Sequence, residues 1–486
     1  NERRMAAWEA AADYYGEALQ LAPDENEQER ARLLRVLGEA EGGKGGWEKA
    51  VASLNEAMLL FDKLGDTETV GWIAYSLRRL YGARGQFTEA SEVVRRGLEV
   101  LGEADSEVRS RLLAQAGFIR SAFGEQEAAE KFLSMSMETA ERLDNPAAKG
   151  FAAFIRGMHC LNYARLSEAA EWLTKGTRWS LAGDDAWSAS QGSSFRRHIL
   201  FALGDLSEAD RGMDDEERLA RKAGNFLAVC ETKWISAGIA CLRGDLVRAE
   251  DLAKQLLALI EASQAESGLP GALINLAYIR FMRGDDEAYE DLLARAIAIY
   301  ERMSAAPIDD PRPVLFLLRA MSGRAELARD MLPDLEHYFQ FDEHWTMSVA
   351  EARITLAAGL GVLRACEDAA RLYHPLKAWT DSVHYALTGA SSAPGLVSRA
   401  LATAACAAGL EDEASQNYEN AIRQSREMDL STELAEASYG YARHILERPS
   451  RDRKYAFELL HDARRTWERL GMAKQLARAD ELASSG

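Results

Sequence analysis

The segment Leu166-Ser167-Glu168-Ala169-Ala170-Glu171-Trp172-Leu173-Thr174-Lys175-Gly176 places a small, a large and a small residue at Ala169, Leu173 and Gly176. Offsets of 0, 4 and 7 fall on one face of an α-helix, and small side chains let a second helix approach closely. That face is a helix-helix contact. The same element recurs as Ala11/Tyr15/Ala18, Ala50/Leu54/Ala57, Ala90/Val94/Gly97, Ala128/Phe132, Ala414/Tyr418/Ala421 and Ala456/Leu460/Ala463. Weaker copies begin at Ala209, Ala249, Ala288, Ala328 and Ala369, so the marker returns every 38 to 45 residues. A fixed period of this length marks a repeat array in which each unit is one helix pair.

About twelve residues before each marker lies a partner helix, seen at Leu37-Gly38, at Leu77 with Tyr81, and at Ala153 with Gly157. Short turns join the two helices: Gly42 to Gly46, Arg84-Gly85-Gln86, Phe123-Gly124-Glu125, Leu203-Gly204-Asp205, Arg243-Gly244-Asp245, Arg283-Gly284-Asp285 and Gly409-Leu410-Glu411. In these turns Gly can take the left-handed conformation that ends the first helix, and where Asp follows, as at Asp205, Asp245 and Asp285, it can cap the second.

Composition agrees with a continuous array. At 486 residues the chain would ordinarily divide into several domains, whereas repeats extend without limit. Hydrophobic residues make up 47% and charged residues 28%, enough apolar material for an extended core. Ten prolines leave long stretches free to stay helical. A net charge of -19 opposes binding of a phosphate backbone, so nucleic acid is excluded as a partner of this segment. Five scattered cysteines, with no CxxC pair, read as thiols of a reducing compartment, which places the chain in the cytoplasm. No apolar run approaches the roughly 20 residues that span a bilayer, so no membrane segment is expected.

The small and aromatic residues at these offsets, with Pro23 closing the first copy, resemble the tetratricopeptide signature. The longer period and linkers such as Leu64-Gly65-Asp66, Asp144-Asn145, Gly224-Asn225 and Leu470-Gly471 are similar to one branch of it. That branch comprises the repeat arrays of bacterial signal-transduction ATPases, including maltose-regulon activator-like and LuxR-type regulators and ATPase-linked nucleotide cyclases. The resemblance implies an all-α, right-handed superhelical solenoid of about eleven to twelve antiparallel helix pairs. It also implies a sensor that binds a small molecule, peptide or protein effector in its concave groove and acts on an ATPase module missing from this fragment. The chain opens on the second helix of a repeat, as expected of the C-terminal part of a longer protein. Residues 1–486 read as one solenoid, with irregular segments expected near 303–314, where Pro307, Pro311 and Pro313 fall, near 386–395 and near 447–453.

Catalytic signatures are missing from the sequence. Gly42-Gly43-Lys44-Gly45-Gly46 looks superficially like a phosphate loop, but it joins two helices instead of following a strand. His337 with His344, and His374 with His384, lack the spacing that presents two metal ligands from one helical turn. Paired aspartates at Asp184-Asp185, Asp214-Asp215, Asp285-Asp286 and Asp309-Asp310 sit in or near turns, where Asp caps helices. The expectation is a binding protein with no enzymatic activity, cofactor or metal.

In such an array the first helix of each pair lines the concave side. Counting back 18, 15, 11 and 8 residues from each marker gives its outward positions. For the third to seventh copies these include Trp72, Tyr75, Arg79, Arg120, Phe151, Phe154, Met158, Gln191, His198, Glu231 and Trp234. Rigid rings with a few polar handles suit a binding surface. The same rings would pack between repeats if the register of the first helix were off by one or two residues. The corresponding positions around Leu273, Ala277, Leu317, Ala320, Ile354 and Ala358 are blander, so the groove is placed in the N-terminal half. A stand-alone protein-protein interaction scaffold, without switching, is the alternative function.

Overall fold

The computed structural model describes residues 2–22, 26–263, 265–303, 310–341, 345–389, 393–448 and 452–485. These residues form twenty-six α-helices in paired order. After α1 (Glu2–Leu21) come α2 (Glu27–Lys44) with α3 (Trp47–Lys63), α4 (Thr67–Ala83) with α5 (Phe87–Leu101), and α6 (Glu107–Ala122) with α7 (Gln126–Arg142). Next are α8 (Pro146–Asn162) with α9 (Leu166–Ala182), α10 (Ala186–Leu203) with α11 (Leu206–Asp210) and α12 (Met213–Ala223), and α13 (Phe226–Arg243) with α14 (Leu246–Ser263). The second half holds α15 (Leu269–Met282) with α16 (Asp286–Tyr300), α17 (Arg312–Met321) with α18 (Ala325–Arg329) and α19 (Leu332–Leu335), and α20 (Met347–Leu363) with α21 (Cys366–Val383). It ends with α22 (Val397–Ala407) and α23 (Glu411–Glu427), α24 (Ser431–Leu446) and α25 (Arg453–Leu470), and α26 (Ala473–Ser485). The fold is an all-α, tetratricopeptide-like helix-pair array, as the period of the sequence implies.

The turn between α13 and α14 shows why a pair forms. Gly244 adopts φ 91°, open to glycine at no steric cost, and Asp245 then donates its amide to the Ala240 carbonyl at 2.9 Å. The Asp245 carboxylate accepts from the Arg248 amide at 3.1 Å and starts the next helix. Where glycine is missing, Ala164 and Asp184 take the same left-handed conformation at φ 54° and 56°.

The marker alanines form the contact column between paired helices. Ala50, Ala90, Ala169, Ala209, Ala249, Ala328, Ala369, Ala414 and Ala456 are all fully buried. Three copies correct the reading by one residue: Ala12, Ala129 and Tyr289 are buried where Ala11, Ala128 and Ala288 were expected. Opposite the column, Gly38, Gly117 and Gly157 leave space for Leu54, Leu133 and Leu173, and a Cβ on any of these glycines would lie within 2.7 Å of the leucine.

Two outer helices are broken where continuous ones were expected. Gly212, at φ 74°, separates α11 from α12, and the buried Arg197 guanidinium takes up the Ala209 and Arg211 carbonyls that the break leaves unpaired. Pro333 has no amide to continue a helix, and the turn after α18 is divided there. Between α21 and α22, in the segment expected to interrupt the helical pattern, lies a two-residue antiparallel pair, Leu387↔Leu396 and Thr388↔Gly395. Pro23, Pro307, Asp309, His344, residues 390–392 and residues 449–451 lie outside the described residues.

First helices of successive pairs stack on one another, α4 on α6, α6 on α8, α8 on α10 and α10 on α13, and again α17 on α20 and α20 on α22. The array does not stay open. α8 meets α20 and α13 meets α24, so the second half packs across the inner face of the first. Thr432 at the start of α24 donates its hydroxyl to the Leu242 carbonyl of α13 at 2.9 Å, and the Ala386 amide reaches the Ala202 carbonyl of α10 at 2.9 Å. Gly85 abuts Met303, Gly204 abuts Met428 and Gly244 abuts Leu470, so repeat turns serve as close contacts between the halves.

Candidate functional site

The residues expected to line a groove do come together, but inside the molecule. Trp72, Tyr75, Phe151, Phe154, Phe195 and His198 form a continuous ladder along α4, α8 and α10, with successive ring centroids 5.3 to 6.2 Å apart. Tyr75, Phe151, Phe154, Gln191 and His198 are buried, and Trp72, Met158, Glu231 and Trp234 are partly so. The expectation of a solvated groove is corrected for this structure: one core cluster joins Phe151 and Phe154 to Tyr385, Val397 and Leu401 of the second half. Arg120 is tied to Glu125 at the end of α6, and Arg79 is exposed with its guanidinium over the Trp187 ring at 5.4 Å.

Polar handles along this inner face are enclosed with little room beside them. His198 Nε2 lies 3.0 Å from Glu231 Oε2. Gln191 Oε1 and Asn275 Oδ1 are cut off from solvent without a hydrogen-bond partner among the described residues. The gap among His198, Phe201, Trp234, Gly238 and Asn275 is about 10 Å³, the space of about one water molecule. With the halves closed, it admits no effector.

A larger pocket lies where three first helices of the second half meet. It is a half-open cleft of about 370 Å³ between the end of α20, α22 and α24, with Arg478 of α26 at one side. This is within the range of small-ligand sites. Arg399, Thr403 and Cys406 project from α22 at spacings of 4 and 3, and Glu436, Tyr439, Gly440 and Arg443 from α24, so each helix offers one stripe.

Charge dominates the pocket. Arg399 makes two hydrogen bonds to Glu433, at 2.7 and 2.9 Å, and Glu433 also accepts from the Leu396 amide at 2.9 Å. Burial works against the Arg399 cation, but Glu433 outweighs it and holds the guanidinium charged. Arg364 and Arg443 converge on a single oxygen of Glu447. Arg448 is paired with Glu411 at 3.0 Å. Glu436 is 6% exposed, and its Oε1 has no hydrogen-bond partner among the described residues; Arg478 Nη1 is 3.6 Å away.

Cys406 and His444 also line the pocket, with Sγ 3.2 Å from Nδ1. A thiol beside an imidazole is a nucleophilic pairing when the ring can take the proton. Here Arg448 Nη1 stands 2.8 Å from the same Nδ1, which therefore accepts from the guanidinium. Burial also pushes the Cys406 thiol up, away from thiolate. The pair is arranged for packing and hydrogen bonding.

Sequence reasoning missed this pocket although its signal was present. The same count back from Ala414 returns Arg399, Thr403 and Cys406, and from Ala456 it returns Arg448. Arg399, Thr403 and Cys406 stand on one stripe of a first helix, and Arg448 follows the end of the next.

No family model and no curated protein matches the chain. Among solved structures, it is similar to a Rap protein complexed with competence and sporulation factor, at 14% identity over 60% of this chain and 80% of that one, with a TM-score of 0.49. It is also similar to a signal-transduction ATPase protein with a tetratricopeptide repeat sensor from Pyrococcus horikoshii, at 11% identity over 79% of this chain and 54% of that one, TM-score 0.38. Yeast Tom70 matches at 12% identity over 94% and 96% of the two chains, TM-score 0.33. At such identities and TM-scores, none of these likenesses bears on ligand or partner.

Proposed function

We propose that this chain is a ligand-binding regulatory module whose effector seats in the arginine-rich pocket between α20, α22 and α24. The supporting observation is a pocket of about 370 Å³ whose walls belong to successive repeats. A ligand joining neighbouring repeats biases their spacing, and in a stacked array each repeat acts on the next. The resemblance of the sequence to repeat arrays of cytoplasmic signal-transduction ATPases supplies an output for that bias, an ATPase module outside this chain. In this reading the row from Trp72 to Trp234 is a second face, offered to a peptide or protein when the halves part. The module recognises and does not catalyse.

The test is thermal denaturation of the chain against a panel of metabolites. A ligand at a hundredfold excess over its Kd stabilises by about 2.7 kcal/mol, which raises Tm by a few degrees. Such shifts are expected for the parent and are expected to vanish in Arg443→Gln. A panel without any shift, together with a protein partner bound equally by parent and variant, would establish the scaffold reading instead.

A further inference from the structure

The wall of this pocket carries two unmet demands of opposite sign. At the outer end, Arg364 and Arg443 share one carboxylate oxygen of Glu447, with Arg443 Nε at 2.9 Å. A guanidinium has five N–H donors in a planar fork that matches the two oxygens of a carboxylate or the face of a phosphate. Two such forks meeting one oxygen leave donors free for a second anion. At the inner end, Glu436 Oε1 is shut off from solvent with no hydrogen bond, and its nearest cation, Arg478 Nη1, stops at 3.6 Å. The Arg478 guanidinium lies over the Tyr439 ring, 4.7 Å from its centroid, and so is held at that distance. Glu436 thus has an ion-pair partner in Arg478 but no hydrogen-bond donor at Oε1, and a ligand donor would supply the missing bond.

Resting on the reading of this pocket as the effector site, we infer that its ligand is a small zwitterion. Its carboxylate or phosphate lies between Arg364 and Arg443, and its protonated amine donates to Glu436. The cleft volume of about 370 Å³ suits a molecule of amino-acid, dipeptide or amino-phosphate size. An anion alone would leave Glu436 Oε1 without a hydrogen-bond donor, and a cation alone would face the arginines, so a molecule with both charges fits best. Tyr418 and Tyr439 supply the flat walls between the two ends.

Isothermal titration calorimetry of the intact chain tests this with glycyl-glutamate and phosphoethanolamine as the two zwitterions, and with glutarate, inorganic phosphate and ethanolamine as controls that carry charge of one sign only. At least one zwitterion is expected to bind about tenfold or more tighter than its matching anion and than ethanolamine. Which of the two binds tells carboxylate from phosphate. Glu436→Gln is expected to erase the advantage over the anion while anion binding persists, and Arg443→Gln to weaken zwitterion and anion alike. Should Glu436→Gln not fold, Arg478→Gln is read instead: it removes the cation nearest Glu436, so the zwitterion's advantage should grow. Equal binding of zwitterion and anion, no zwitterion bound at about 1 mM, or an advantage unchanged in the folded variant overturns the inference. A neutral metabolite found in this pocket by thermal denaturation would overturn it too, while leaving the binding-module reading in place.

Discussion

Single residues define the turn and the contact in each repeat, and both roles can be measured separately. Gly124 adopts φ 79° with no atom within 4 Å of where a Cβ would lie, so Gly124→Ala tests backbone strain alone. It should lower stability by about 1 kcal/mol by chemical denaturation, and an unchanged midpoint would mean that the turn tolerates an L side chain there. Ala169 is fully buried in the helix-pair column. Enlarging it to Leu should overpack the crossing at a cost of about 1 to 3 kcal/mol. His159 is a titrating counterpart. It is 1% exposed, with Nδ1 3.0 Å from Ser121 Oγ and Nε2 3.1 Å from Glu130, and burial lowers its pKa below the usual histidine value despite that carboxylate. With the folded-state pKa depressed, the unfolded chain takes up the proton first. The contribution of neutral His159 is therefore full above about pH 6.5 and is lost as pH falls through the histidine range. Tm should fall more steeply between pH 7.5 and 5.5 in the parent than in His159→Gln, and parallel profiles would remove His159 as the cause.

Among the elements, second helices such as α9 present one buried and one exposed face, whereas first helices such as α15 and α20 are buried almost all round. The two-sided pattern of the outer helices made the period legible from Ala, Leu and Gly alone. The inner helices offered no such contrast, because a helix covered on every side shows no amphipathic stripe. With no stripe to mark which side meets solvent, the rings of α4, α8 and α10 are expected at a wet groove, whereas the structure packs them against the second half. Phe154 decides the matter experimentally. It is 3% exposed and packs against Phe151 and Phe195, with centroids 6.2 and 6.0 Å away. Phe154→Ala should destabilise the fold by about 3 to 5 kcal/mol, as a core ring does. A stability loss below 1 kcal/mol, the behaviour of a groove residue, would contradict the closed packing.

For the whole molecule, closure of the second half on the first makes contacts that a simple stack lacks. Thr432 is 1% exposed and bonds across the seam to α13. Thr432→Arg should part the halves, enlarging the radius of gyration in solution scattering and splitting a single denaturant transition into two. Unchanged scattering with one cooperative transition would show the seam to be incidental. The repeat period, the αL glycine turns, the Asp caps and the all-helical class were set by residues within about 40 positions of each other, where geometry is local and every unit repeats the same solution. The small residues of the contact column belong to that local logic as well. Whether the inner face is open was not local. It depends on rotations per repeat that accumulate along the chain until α20 and α24 reach α8 and α13, and no single unit records that sum. Arg364, Arg399, Arg443 and Glu436, by contrast, meet through the direct stacking of α20, α22 and α24, and the tertiary structure alone decides the helix rotations that turn these side chains toward one space.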